Sequence, residues 1–276
     1  MPAALTVAAF LCPFPEPGHP MWTEEEGYVL ILSMKAIIPA AGHGTRFAPY
    51  TRLVPKELLP IAARPAIDWI VAEAAAAGAD EVVIVTSPEK PLIARWFELE
   101  KPPVPVTFVL QTEQRGLGHA VLQAAKAAGG TAEPVLILLG DALVTGCAAS
   151  TEMAKLSQAR SGAGVIGLEH VPPEKTNRYG IVRMEGDRIV DMVEKPAPAK
   201  APSDLAVAGR YLLPPAIFER LEHQRAGVGG EIQLTDAIRG LLADHEILGY
   251  VYPGHRHDIG NPAGYLKALE AFNGQH

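Results

Sequence analysis

From Met34 onward the chain alternates short apolar runs with stretches in which apolar residues recur every three or four positions. Residues 35–39 are compact and apolar, the pattern of a strand buried on both faces. Residues 67–77 carry helical spacing and stop at Gly78, and residues 81–86 form a second apolar run. Residues 88–99 predict a helix, 106–110 a strand, 117–127 a helix ending near Gly129 and Gly130, and 135–139 another strand. Four strands separated by three helices predict a parallel sheet with helices on both faces, because parallel neighbours need a crossover long enough to hold a helix.

The second half changes character. Residues 163–169, 180–184, 188–193 and 206–212 predict short strands, separated by turn residues such as Glu185, Gly186 and Asp187. Helical spacing returns over residues 215–222, 234–243 and 262–272, and residues 196–202, rich in Ala and Pro, predict a solvated loop. The fold class expected is therefore α/β: a Rossmann-like, mostly parallel sheet with helices on both faces. A mixed part extends it and closes over its carboxyl edge.

Residues 1–33 stand apart. Residues 1–20 are apolar and proline-bearing but have neither a basic start nor a clear small-residue cleavage site, so a signal peptide is not expected. An acidic patch, Glu24 to Glu26, precedes a short apolar run over residues 29–32. The expectation is a poorly ordered extension ahead of a catalytic domain at 34–276, with Met34 as an alternative start; a short strand at 28–32 is the competing reading.

Composition narrows the partners. The 276 residues are 48% hydrophobic and 20% charged, ordinary for a globular chain with a sizeable core. A formal net charge of −7 gives no general attraction to nucleic acid or anionic lipid, so any anionic substrate must be held by a local cluster of cations and N–H groups. The two cysteines, Cys12 and Cys147, have no partner at zinc-ligand spacing, which points to a reducing cytoplasm or to no role. No run of about 20 apolar residues offers a membrane span.

Candidate chemistry begins after the first strand, at Ala40, Ala41, Gly42, His43, Gly44, Thr45 and Arg46. Small residues there let the backbone approach a nucleotide, and exposed N–H groups can hold phosphate oxygens. The spacing matches neither the dinucleotide pattern nor a P-loop, and taken alone such a segment is more often just a turn. Arg46 and, a few residues on, Lys56 change the picture: together they could neutralise a triphosphate. Lys56 alone reads as a solvated loop charge.

The run Gly42 to Arg46, followed by Pro55, Lys56, Glu57, Leu58, Leu59 and Pro60, resembles the signature loop of sugar-phosphate nucleotidyltransferases. Gln111, residues 116–120 (GLGHA), 194–196 (EKP), 230–237 (GEIQLTDA) and 257–261 (HDIGN) resemble, in order and wording, bacterial UTP–glucose-1-phosphate uridylyltransferases. The match runs from Met34 to about Phe272. It implies an enzyme that joins UTP to glucose 1-phosphate with Mg²⁺, releasing pyrophosphate, and that is cytoplasmic and homo-oligomeric.

The resemblance also implies roles. Arg46, Lys56 and Lys195 would be catalytic, and Ala40, Ala41, Gly42, Gly44, Thr45 and Glu57 would surround the nucleotide. Gln111 and Gly116 would read the uracil, whose edge requires both a donor and an acceptor. Lys195 would hold the sugar 1-phosphate, with Glu194, Tyr179, Gly180 and Val207 forming the sugar pocket in the mixed part. Asp141 and Asp258 would hold Mg²⁺, which usually takes one or two carboxylates and keeps waters; either one alone reads as a cap or turn residue. His43, His119 and His257 are read as positional or polar lining, since the nucleophile is already an anion. Between Phe97 and Gln111 the chain is shorter than the family's usual connection, which bears on oligomer contacts and on the rim of the site. A thymidylyl- or cytidylyltransferase and a non-catalytic homologue are the competing readings.

Overall fold

The computed structural model describes residues 34–128 and 134–273. The expectations for residues 1–33 and for a helix end at Gly129 and Gly130 lie outside the described residues. The first half runs β1 (Met34–Pro39), a loop of short 3-10 turns, a small ribbon of β2 (Pro60–Ile61) and β3 (Arg64–Pro65), α1 (Ala66–Ala76), β4 (Ala79–Thr86), α2 (Pro91–Leu99) and β5 (Val106–Leu110). It continues through α3 (Leu117–Gln123), α4 (Ala125–Ala128) and β6 (Val135–Leu138). Then come β7 (Ala142–Thr145), α5 (Ala149–Ala159), β8 (Gly164–His170), β9 (Gly180–Glu185), β10 (Arg188–Glu194) and β11 (Leu205–Leu213). The last elements are α6 (Ala216–Glu222), α7 (Leu234–Leu241), β12 (Ile247–Val251), β13 (His255–Asp258) and α8 (Pro262–Ala271).

Nine strands form one sheet in the order β5-β4-β1-β6-β11-β8-β12-β10-β9. The first four run parallel, as their helical crossovers require. Beyond β6 the sheet turns mixed: β11 is antiparallel to both β6 and β8, β12 is parallel to β8, and β10 is antiparallel to β12 and β9. The expectation of a mostly parallel sheet is corrected accordingly. β9 and β10 are joined by a tight turn and pair antiparallel, whereas β12, reached through α6 and α7, lies parallel to β8; all continue the same sheet instead of forming a separate cover.

Alternation along the central strands divides the core. Ala36 and Ile38 of β1, Val82 and Ile84 of β4, and Leu136 and Leu138 of β6 face one side, with Ile67, Ile70 and Val71 of α1 and Met153 of α5. Ile37, Val83, Val85 and Ile137 face the other, with Val121 of α3, Leu221 of α6 and Ile238 of α7. Successive strand residues point to opposite faces, so a continuous apolar run supplies both cores.

Three further departures have physical reasons. The single helix expected over 117–127 is interrupted at Ala124, where a turn separates α3 from α4. The helix expected from Pro88 begins at Pro91, because Lys90 lies outside helical geometry (φ −118°, ψ 49°). Pro196, expected in a solvated loop, is buried. Helix α5 and strands β7, β12 and β13 went unpredicted. Apart from Met153 the buried α5 face is built from small residues, and β13 is largely polar (HRHD). Arg210 on β11, fully buried, donates to both Glu73 oxygens (2.8 and 2.7 Å) and to the Ala142 carbonyl (2.7 Å). This links α1 to the start of β7, which borders the site. Among the described residues no helix is long and apolar enough to cross a membrane.

Candidate active site

Strands β1 and β6 are neighbours whose crossovers depart in opposite directions along the sheet. In open α/β sheets a crevice forms at such a point, beyond the carboxyl ends of the strands. The chain leaving β1 is stitched to both neighbours: Ala40 N–H donates to Val85 O (2.7 Å) and Gly140 N–H to Pro39 O (3.3 Å). Ala40 and Ala41 are buried, Gly42 is exposed, and Gly44 takes a left-handed conformation before the 3-10 turn Thr45–Phe47. Phe47 anchors that turn in the interior, leaving Thr45 and Arg46 exposed.

Beneath this loop lies a network of buried charge. Lys56, buried in the turn Lys56–Leu58, places Nζ 2.7 Å from Asp141 Oδ2 and 3.4 Å from Glu57 Oε1. Glu57 is fully enclosed and accepts from Lys90 Nζ with both oxygens, at 3.1 and 3.0 Å. Lys90 also donates to the Ala40 carbonyl at 2.7 Å, so the charge network supports the loop from below. Burial disfavours the Lys56 ammonium, yet Asp141 and Glu57 outweigh it and hold Lys56 above the ordinary lysine value. Burial likewise works against the Asp141 charge, but Lys56 and Arg46 hold its carboxyl below the usual range. For Lys90 burial prevails over Glu57, and its pKa is lowered.

Asp258 ends β13, which pairs antiparallel with β7 and sets Asp258 opposite Ala142, next to Asp141. Ile259 N–H donates to Asp141 O at 2.8 Å and closes that corner. Asp258 Oδ1 accepts from Gly260 N–H (2.8 Å) and Oδ2 from Asn261 Nδ2 (3.2 Å). Gly260 marks where the groups converge. A Cβ there would stand 2.9 Å from both Asp141 Oδ2 and Asp258 Oδ1, and 3.2 Å from Arg46 Nη2. Any larger residue would fill the space between two carboxylates and a guanidinium. Among the described residues no three His, Cys, Asp or Glu side chains gather as a metal cage. Two converging carboxylates fit a small, hard cation that completes its shell with phosphate oxygens and water.

Gln111 follows β5 and is only 2% exposed. Its amide nitrogen lies 2.9 Å from His119 Nδ1 and 3.4 Å from the Gly116 carbonyl. Gly116 adopts φ +97°, and a Cβ would meet Glu231 Cβ at 2.8 Å and Ile232 O at 2.9 Å, so this position requires glycine. The close approach lets Ile232 N–H bond Arg115 O at 2.8 Å and Gly118 N–H bond Ile232 O at 2.8 Å. Residues 231–232 are thereby held against 115–118.

The third group gathers at the ends of β9 and β10. Glu194 Oε2 accepts from Thr235 Oγ1 at 2.6 Å, and Lys195 Nζ lies 3.2 Å from Glu194 Oε1. Lys195 N–H donates to Tyr179 O at 2.9 Å, and a Cβ on Gly180 would sit 3.1 Å from Thr235 Oγ1. Tyr179, Gly180, Glu194 and Lys195 are therefore neighbours. Val207 follows Ala206, which pairs antiparallel with Ile181 of β9, so it falls beside Gly180, at the point where β11 slips register against β8. Sequence reasoning left Lys90, Thr235 and Gly260 without roles. Thr235 and Gly260 lay inside quoted motifs, whereas Lys90 carries no spacing signal, since its partners are 33 and 50 residues away.

The family model for nucleotidyl transferases matches residues 35–274, and the chain belongs to that family. It is 40% identical over 260 residues to a UTP–glucose-1-phosphate uridylyltransferase of Staphylococcus haemolyticus, covering 84% of this chain and 90% of that protein. Another such enzyme, from Staphylococcus saprophyticus, is 39% identical over 265 residues, covering 86% and 92%. Among solved structures, a UDP-glucose pyrophosphorylase complexed with UDP-glucose superposes with a TM-score of 0.81 at 35% identity, covering 88% of this chain and 100% of that one.

Proposed function

We propose that this protein transfers the uridylyl group of UTP to glucose 1-phosphate, forming UDP-glucose and pyrophosphate. The observation that carries the reading is the convergence of Arg46, Lys56-bound Asp141, and Asp258 on Gly260 at the crevice between β1 and β6. The likeness to uridylyltransferases at about 40% identity supplies the substrate class.

In the reaction a phosphate oxygen of glucose 1-phosphate attacks the α-phosphorus of UTP. The new O–P bond forms as the bond to the β-phosphate bridging oxygen breaks, and pyrophosphate leaves with that electron pair. The nucleophile is already anionic, so alignment and charge stabilisation suffice. The loop of Ala40, Ala41, Gly42, Gly44 and Thr45 approaches the phosphates, and Arg46 and Lys56 offset their charge. Glu57 has both oxygens occupied by Lys90, so its part is to hold Lys56 and the loop in place. Gln111 and Gly116 read the base. Lys195 binds the sugar phosphate, with Tyr179, Gly180, Glu194 and Val207 shaping the sugar pocket. Asp141 and Asp258 hold Mg²⁺, which when bound supplies Lewis-acid stabilisation of the phosphate oxygens.

The test is pyrophosphate release from UTP, dTTP, CTP and ATP, each against glucose, galactose and N-acetylglucosamine 1-phosphates. UTP with glucose 1-phosphate is expected to lead, with loss of turnover on chelation and recovery with Mg²⁺. A lead for dTTP or CTP replaces the uridylyl reading, and no release with any pair would leave a non-catalytic homologue. The expected homo-oligomer is proposed on the same footing, to be read by light scattering. Leu99, which ends α2, and Leu110, which ends the edge strand β5, are 63% and 52% exposed.

A further inference from the structure

His119 sits on the first turn of α3, buried, with an amide against each ring nitrogen. Gln111 Nε2 is 2.9 Å from Nδ1, and the Gln123 amide nitrogen is 3.1 Å from Nε2. A neutral imidazole has one N–H donor and one acceptor, so the two amides cannot play the same part. The Gly116 carbonyl decides between them. It only accepts, and it lies 3.4 Å from the Gln111 amide nitrogen, so Gln111 turns its NH₂ inward, one hydrogen to Gly116 O and the other to His119 Nδ1. The proton of the ring is then on Nε2, and Gln123 must turn its amide half over to accept it.

With both N–H groups of Gln111 spent, its carbonyl oxygen is what it has left to offer. Among the described residues none donates a hydrogen bond to that oxygen, and it is not sealed from solvent. Uracil and thymine carry a proton on N3, whereas cytosine presents a bare N3 lone pair. An amide fixed with its oxygen outward attracts the first and repels the second. An amide free to turn over would offer either face and would discriminate poorly.

We propose that His119 is a specificity-positioning residue: through its Nε2–H tautomer, braced by Gln123, it fixes the Gln111 amide so that the site accepts N3–H pyrimidines and rejects cytosine. This rests on the reading above that Gln111 faces the base. Sites that bury a dedicated acceptor reject analogues that cannot satisfy it, which makes amide orientation a strong filter.

The experiment compares kcat/KM for UTP and CTP in the wild type, His119→Leu, His119→Asn and Gln123→Leu. His119→Leu removes the acceptor, and the UTP-over-CTP ratio is expected to fall about tenfold or more, with KM for glucose 1-phosphate unchanged. His119→Asn keeps an acceptor oxygen near the Nδ1 position and is expected to restore most of the ratio. Gln123→Leu unbraces the ring and is expected to lower the ratio by about threefold. Nitrogen NMR of the wild-type ring, assigned by the signal lost in His119→Asn, is expected to show the Nε2–H tautomer. An unchanged ratio in His119→Leu, equal losses in His119→Asn and His119→Leu, or an Nδ1–H tautomer each overturn the proposal. Should His119→Leu not fold, the Gln123→Leu ratio and the tautomer decide. A wild type with no preference for UTP over CTP removes the reading of Gln111 and the proposal with it, whereas a wild type that prefers UTP confines any failure to His119.

Discussion

Lys56 and Lys195 are both assigned to substrate phosphates, and the structure holds them in different ways. Lys56 is buried, its ammonium 2.7 Å from Asp141 and backed by Glu57, Lys90 and the Ala40 carbonyl. Lys195 is 46% exposed, touches Glu194 at 3.2 Å, and sits in a left-handed backbone conformation (φ +45°) that a side-chain-bearing residue rarely adopts. The first arrangement is set before any substrate arrives, because every charge in it has a partner. The second keeps a half-exposed cation with one carboxylate partner at a left-handed backbone position, so fewer contacts fix it before the ligand binds. A site joining two anions can thus fix one in a rigid cradle and let the other be gathered by a movable lysine.

The comparison is broken most severely at the carboxylates. Asp258→Ala removes one of two oxygens beside Gly260 and is expected to lower kcat by about 10³-fold, with thermal melting showing a folded protein. On the rigid side, Lys90→Met leaves Glu57 enclosed with one remaining cation at 3.4 Å. We expect it to cost about 3 kcal/mol of stability, read by urea unfolding, because an unpaired buried charge is the expensive case. On the adaptable side, Lys195→Ala is expected to lower kcat/KM for glucose 1-phosphate by about 10²-fold while the melting temperature stays put. A large loss of stability in Lys195→Ala, or none in Lys90→Met, would erase the distinction between the two regions.

The smallest effect is in acid. The Asp141 carboxyl is held below its ordinary value, so its contribution to stability is present above the unfolded value of about 3.9 and is lost as pH falls through the lower folded value. Asp141→Asn should therefore flatten the acid limb of melting temperature against pH. The raised Lys56 behaves oppositely: its contribution holds below the unfolded lysine value and is lost only as pH rises through the higher folded one. An acid limb that is the same in Asp141→Asn and wild type would show that the pair contributes nothing to folding.

Much of this was legible along the chain. Apolar runs over 35–39, 81–86, 106–110 and 135–139 located four parallel strands within a residue or two; β1, β4 and β6 lie inside the sheet and need apolar side chains on both faces, while the edge strand β5 keeps the run though only partly buried. Segments lacking that pattern escaped. The β13 sequence HRHD is polar because it pairs in a ribbon outside the main sheet, and α5, apart from Met153, packs through small side chains. The motif runs around Arg46, Lys56, Gln111, Lys195 and Asp258 named site residues one by one, without saying which of them meet.

What the sequence by itself determined is the order of elements, the two-faced core and the chemical types available, since these follow from local periodicity and from side chains named in short runs. Only the tertiary structure decided that the sheet is mixed, that Gly260 sits between Asp141, Asp258 and Arg46, and that Lys90 braces Glu57 and Ala40. Those facts join residues up to about 200 positions apart, and their partners are chosen by strand order and burial, which no local pattern encodes.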